Sequence, residues 1–387
     1  MYKRQGQASF TGIVTATSFV PTVGQLSHRN IIVNGDMNVA QRGTSSASSG
    51  YQTVDRFFHS GDGWDAAMTQ AQGDVASGTT PYTQGFRKTF KLTNGNQTSG
   101  AGAGDTLVIL NRIEAQDLAN SGWNYTSSSS SVSFSFWVKS SVAQNFFFTF
   151  KSGDGTPQKY AMETGSLTAD TWTKITKTIP GNSNIQFDND NGEGLEIEWS
   201  IFRGTDETGS MSLNAWAANN NSVRTPDQTS TWFTTNAATF EITGVQLEVG
   251  PVATPFEHRT VADELARCQR YCVQYNSNNA SRDYIMPAKV SDGDDAYTAW
   301  QPPVAPRTTY PTISVSNASH LCLAYGDGYT NSPVNFSARD NTARNPYSPI
   351  VFLNFDLNSS VLTAGDMVFL AFSSNTSDGY IRFEWEL

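Results

Sequence analysis

Cysteine is scarce, with three in 387 residues, too few for a disulfide framework in a chain of this size. Cys268 and Cys272 stand four apart on an expected helix, where side chains are neighbours but the backbone spacing rarely suits a disulfide. A zinc site would need further ligands close by, and His28, His59, His258 and His320 are not placed to supply them. Free thiols made in a reducing cytoplasm are the expectation. Long apolar runs are missing as well: no stretch of about 20 apolar residues exists to span a membrane. No apolar run follows the opening Met1-Tyr2-Lys3-Arg4-Gln5-Gly6, so no signal peptide is expected. Positive charge is in deficit, 25 Lys and Arg against 35 Asp and Glu for a net −10. The basic residues are scattered, which argues against a phosphate-tracking face and so against nucleic acid. Charge of either sign reaches only 16%, and the Ala, Leu, Glu and Lys that helices favour do not dominate.

What is present is Ser, Thr, Asn and Gly in quantity, with 12% aromatics. Aromatic and β-branched residues broken up by Gly, Asn and Ser describe short strands joined by tight turns. The fold class is therefore all-β, and the length suits two domains.

Residues 1–29 lack the apolar mass for a core, yet Phe10 to Val20 alternate and are rich in β-branched side chains. Two readings compete, a flexible leader and an assembly arm that orders only against another chain, and the β-branched run favours the second. Strands are expected at 31–33, running into a turn at Asn34, and at 86–92, 105–112, 131–139, 144–151, 171–179, 194–202 and 239–249. Apolar residues fall at every second position in Val132, Phe134, Phe136, Val138 and again in Leu195, Ile197, Trp199, Ile201, the mark of half-buried strands. In 239–249 the alternation slips at Gly244, which reads as a bulge. Val245 and Leu247 are expected inward there, Gln246 and Glu248 outward. Together these strands suit a jelly-roll-type sandwich over residues 30–258. Thr260 caps a linker helix within 259–275, with acids in its first turn and Leu265, Cys268 and Cys272 on one face. Strands at 308–316, 349–357, 367–373 and 380–387, with turns at 326–328 and 377–379, make residues 276–387 a smaller C-terminal β-domain.

Two stretches carry a family resemblance. Asn34-Gly35-Asp36-Met37-Asn38-Val39-Ala40-Gln41-Arg42-Gly43, with Asp55-Arg56-Phe57, resembles the opening of domains in tail fibres and other appendages of tailed bacteriophages, marine ones above all. Thr243-Gly244-Val245-Gln246-Leu247-Glu248-Val249-Gly250, Thr254-Pro255-Phe256-Glu257 and the run from Ala262 to Tyr271 are similar to their closing signature. Gly12 to Phe19 resembles their leader segments, and Pro306 to Thr312 the start of their C-terminal β-domain. Cys272 departs from the pattern, standing where an aromatic is expected. The resemblance implies a carbohydrate-binding-like β-sandwich, a homotrimer and assembly into a virion, with residues 1–29 meeting other virion proteins and a host-surface glycan as ligand.

Candidate chemistry divides accordingly. Sugar rings stack on aromatic faces while amides and carboxylates bond their hydroxyls. Trp64, Trp123, Tyr125, Trp216 and Trp232, all in loop-like segments, are the candidate glycan contacts, one or two of them expected to be exposed. Their competing role is to plug the ends of the sandwich. No cofactor is expected. Asp188, Asp190 and Glu193 form the one calcium-loop candidate worth weighing, against a plain Asn/Asp turn; the acidic turn Asp292-Gly293-Asp294-Asp295 is weaker. Glycoside hydrolysis needs two carboxyls across the sugar, and Glu196 with Glu198, or Glu384 with Glu386, share a strand face. As outward acids on an acidic protein they read as solvated surface. No nucleophile elbow or phosphate loop survives inspection, so the chain reads as no enzyme. A subunit without any ligand of its own is the leading alternative, a polysaccharide depolymerase the next.

Overall fold

The computed structural model describes residues 28–278, 283–325, 328–329, 334–338, 350–357, 362–373 and 378–387. Residues 1–27 of the expected arm, 326 and 327 of one expected turn and 377 of the other lie outside them. Strand dominates throughout, and the chain is all-β.

Two six-stranded antiparallel sheets form the first unit. One has the order β1 (Ser45–Ser46), β3 (Thr69–Asp74), β4 (Lys88–Thr93), β12 (Thr239–Val249), β6 (Ser131–Ser140), β9 (Thr173–Pro180). The other runs β11 (Trp216–Ala218), β8 (Gln158–Ser166), β7 (Asn145–Ser152), β10 (Glu193–Arg203), β5 (Thr106–Glu114), β2 (Phe58–Asp62). The chain passes repeatedly from one sheet to the other, so that strands distant in sequence, such as β4 and β12 or β5 and β10, lie side by side, as in a jelly roll. Period-two alternation builds the core between them: Phe134 and Phe136 of β6 meet Phe148 and Phe150 of β7 and Trp199 of β10. Phe136 stands edge-on to Trp199 at 5.6 Å, and Phe134 to Phe150 at 5.0 Å, arrangements that add to area burial.

Of the strands expected in this unit, seven are present, each within a few residues of its expected limits, whereas Ile31-Ile32-Val33, expected as a strand running into the turn at Asn34, forms none. Those missed, such as β2, β3 and β8, carry polar or glycine-broken sequences. Gly244 is the bulge: the register between β12 and β6 shifts across Thr243 and Gln246. Its φ is +62°, and a Cβ there would lie 2.6 Å from Cζ of Phe86.

The opening and closing motifs prove to be one structure. Val245 N donates to Gly35 O at 2.8 Å, Ile31 N to Leu247 O at 2.9 Å, and Glu264 accepts from Asn34 N. Two expectations are corrected here. Gln246 and Glu248 point away from the core yet are buried, because the exit loop folds over them: Gln246 Oε1 accepts from Glu257 N at 2.8 Å and Glu248 Oε1 from Thr254 N at 2.7 Å. The helix Val261–Gln269, capped by the Thr260 side chain as expected, buries Glu264 and Cys268 rather than Leu265, and Cys272 begins a strand. Glu264 is drawn in by its bond to Asn34 N and by Arg259, 3.4 Å away.

The second unit packs a three-stranded sheet, β13 (Cys272–Asn276), β22 (Tyr380–Glu384), β16 (Thr312–Val315), over a seven-stranded one. The latter has the order β18 (Gly328–Tyr329), β17 (Leu321–Tyr325), β21 (Met367–Phe372), β14 (Tyr284–Val290), β15 (Asp295–Trp300), β20 (Val351–Leu357), β19 (Val334–Ala338). Ion pairs tie the units together. Arg42 holds Glu384 and Glu386, each at 2.8 Å, Arg56 pairs with Glu386, and Arg270 with Glu114 at 2.6 Å. Glu384 and Glu386, expected as solvated surface, are therefore links between units.

Candidate functional site

The outer face of the second sheet carries the most developed polar site. On β10, Leu195, Ile197, Trp199 and Ile201 point to the core, so Glu196, Glu198 and Ser200 point outward. The register places Glu196 opposite Arg112 of β5 on one side and Lys151 of β7 on the other. Lys151 Nζ reaches Glu196 Oε1 at 2.8 Å and Arg112 Nε reaches Oε2 at 3.0 Å. One step along, Arg203 grips Glu198 with two bonds of 3.1 and 2.8 Å, the bidentate geometry that fixes both partners. Arg203 also pairs with Glu207, which in turn holds Arg224 Nε at 3.1 Å.

These side chains line an open groove of about 390 Å³, with Ser60, Thr106 and Val108 along its other side. The two carboxylates on β10 are thus corrected from solvated surface: Glu196 is 7% and Glu198 3% exposed. Burial by itself would raise the Glu198 carboxyl, but Lys159 and Arg203 more than offset it and hold it down at about 2. Lys159 faces the opposite pull, its ammonium lowered by burial while Glu198 supports it. A carboxylate kept ionised cannot act as a general acid at neutral pH. What the groove offers is a rigid set of donors and acceptors of nearly balanced charge.

The aromatic candidates lie elsewhere. Trp123 and Trp232 are corrections: both are core residues, 3% and 0% exposed. Trp232 Nε1 donates to Thr239 O at 3.0 Å, and Trp123 packs on Phe187 beneath Tyr125. A ring enclosed on both faces has none left for a sugar. Tyr125 is half-buried against Phe187. Trp216 is half-buried on Tyr160 at 5.1 Å, its Nε1 bonded to Pro180 O at 2.7 Å. Trp64, also half-buried, lies over Gly61 and beside His59. Trp123 and Tyr125 are brought together at one end of the sandwich; the five do not form a common platform.

The calcium-loop candidate is corrected in its third member. Glu193 turns to Arg112 at 2.9 Å and Lys151 at 3.5 Å, away from Asp188 and Asp190. Asp190 Oδ1 accepts from Gly192 N and Asp188 Oδ1 from Gln186, as turn residues do. Among the described residues, the carboxylates that do converge are those of Asp292, Asp294 and Asp295.

Sequence reading singled out Glu196 and Glu198 but missed Arg112, Lys151, Arg203, Glu207 and Arg224. For Arg112, Lys151 and Arg203 the sequence signal was a charged residue on an expected strand or directly after it, and it takes the register to show that these charges meet; Glu207 and Arg224 lie in loops and had none.

No family model matches the chain, and no curated protein matches it. Among solved structures it is similar to the enzymatically active domain of tailspike protein 4 of bacteriophage CBA120, at 9% identity and a TM-score of 0.30 over 57% of this chain and 21% of that one. It is also similar to a putative sugar-binding protein from Bacteroides thetaiotaomicron, at 10% identity and 0.30 over 57% of this chain and 100% of that one. A third is the N-terminal cellulose-binding domain of β-1,4-glucanase C from Cellulomonas fimi, at 7% and 0.27 over 56% and 99%. The chain spans about a fifth of the tailspike. With TM-scores of this size, none of these likenesses carries a function to it.

Proposed function

We propose that the chain is a glycan-binding subunit of a bacteriophage appendage, and that its sandwich takes a saccharide in the groove on its outer sheet. The observation that carries this is the groove itself: Arg112, Lys151, Glu196, Arg203, Glu207 and Arg224 are fixed by mutual ion pairs. Donors and acceptors held in place before binding lose little freedom on binding, which suits a ligand of many hydroxyls and weak individual contacts. Repetition over several subunits would supply avidity. A homotrimer fits the exposed Tyr284, Met367 and Phe369 on the adjacent strands β14 and β21, since such patches mark association sites. Catalysis is not part of the proposal: Glu196 and Glu198 are both engaged in ion pairs with Arg112, Lys151 and Arg203.

The test is a glycan array with titration of its hits, comparing the wild type with the double variant Lys151→Ala, Arg224→Ala. Binding that the variant loses supports the groove. A silent array leaves a purely structural subunit, a reading favoured by the burial of Trp123 and Trp232.

A further inference from the structure

We propose that the saccharide taken in the groove on the outer sheet carries a carboxylate, as uronate and sialate sugars do, and that Arg224 is the residue that meets it. This rests on the reading of the groove as a saccharide site and adds the charge of the ligand to it. The acceptors of the groove are already engaged. Glu196 gives Oε1 to Lys151 at 2.8 Å and Oε2 to Arg112 at 3.0 Å. Glu198 gives both oxygens to Arg203. Glu207 gives Oε1 to Arg224 at 3.1 Å and Oε2 to Arg203. Glu193, at the margin, faces Arg112 at 2.9 Å and Lys151 at 3.5 Å. A carboxylate with a cation at each oxygen is neutralised where it stands, so its repulsion of an incoming anion is largely cancelled.

The donors are not used up. Each of the three nitrogens of Arg203 has a partner in Glu198 or Glu207, and each of those of Arg112 in Glu196 or Leu387 O. Arg224 differs. It lines the groove with its side chain 33% exposed, and its Nε lies against Glu207 and against Asn221 O at 3.3 Å. Among the described residues, neither Nη1 nor Nη2 of Arg224 donates a hydrogen bond. Two guanidinium nitrogens side by side match the two oxygens of a carboxylate, a pairing that a lone hydroxyl cannot reproduce.

A second observation points the same way. Lys159 of β8 stands directly opposite Lys151 on the same outer face, 2% exposed. Its ammonium makes no ion pair or hydrogen bond among the described residues, and Glu198 is the carboxylate that most supports its charge. Arg112, Lys151, Lys159, Arg203 and Arg224 thus stand against Glu193, Glu196, Glu198 and Glu207, one cation in excess on a chain whose net charge is −10. A ligand with a carboxylate balances that excess. A neutral sugar would meet Arg224 through hydroxyls alone, with bonds roughly half as strong as charge-assisted ones.

The experiment titrates the full chain by calorimetry with two matched pairs of probes, trigalacturonate against galactotriose of the same linkage and sialyllactose against lactose. Arg224→Gln removes the guanidinium, and Arg224→Lys restores a charge without the fork. Ser60→Glu adds a carboxylate on the other side of the groove, with Ser60→Gln as its uncharged match, and thermal melts check that the variants fold. The expected result is an acidic probe that binds about tenfold or more tightly than its neutral partner. Arg224→Gln should lose most of that preference and Arg224→Lys recover part of it, while Ser60→Glu weakens binding and Ser60→Gln does not. The proposal is overturned if the neutral member of a pair binds as well as the acidic one, or if Arg224→Gln and Ser60→Glu leave acidic binding unchanged. A neutral probe lost in the double variant Lys151→Ala, Arg224→Ala would keep the saccharide groove while removing its acidic ligand. Silence of both acidic probes overturns the proposal too, and the glycan array then decides the groove by itself.

Discussion

His59 sits in the core beside Trp64 with both ring nitrogens buried and unpartnered. Burial lowers its pKa to about 4 from the ordinary 6.5, so the native state holds the neutral ring while the unfolded chain takes up a proton more readily. Stability that depends on His59 is therefore complete above pH 6.5 and is lost as pH falls from there toward 4, by about 3 kcal/mol in all. Chemical denaturation from pH 7.5 to 4 checks this: the wild type minus His59→Leu difference should fall across that window, and a flat difference would refute it. Glu198 behaves in the opposite sense. Held near 2, its carboxylate stabilises above the ordinary value of 4.5, and the contribution is lost as pH falls through 4.5 toward 2. Glu198→Gln leaves Arg203 and Lys159 buried with a weaker partner, and the melting curve at pH 7 should report a loss of about 3 kcal/mol.

At the level of elements, alternation did most of the work in locating strands. The strand Thr239–Val249 was legible to the residue, and its bulge was marked by Gly244 alone. Gly244→Ala forces a Cβ against the Phe86 ring in a backbone conformation that L residues avoid. A loss of about 1–3 kcal/mol is expected in the thermal melt, and Gly50→Ala, whose φ is also positive but whose Cβ would meet nothing within 4 Å, should lose less. Alternation could not tell which outward residues lie under another segment. Gln246 and Glu248 look like surface until the loop from Thr254 to Glu257 is seen to cap them. Glu196 looks like surface until Arg112 and Lys151 arrive from strands 84 and 45 residues away in sequence.

Over the whole molecule, the ion pairs of Arg42 and Arg56 with Glu384 and Glu386 join the first motif of the chain to its last residues. Breaking a buried pair from one side costs about 3–5 kcal/mol. Glu386→Ala should thus lower the melting temperature and bring the two units apart in calorimetry, as a shoulder or a second transition; a single unchanged peak would deny the coupling. If Tyr284, Met367 and Phe369 join copies of the chain, light scattering should give a trimer that Phe369→Asp disperses.

The sequence by itself determined the fold class, most strand positions in the sandwich, and the capped helix, because period and propensity act locally and survive without knowledge of neighbours. It also held both motifs that prove to bond to each other. Only the tertiary structure decided the sites. Which tryptophans keep a free face, which carboxylates meet a guanidinium, and which donors stay open in the groove are set by register and by packing between units. Both bring together residues whose separation along the chain carries no trace of the contact.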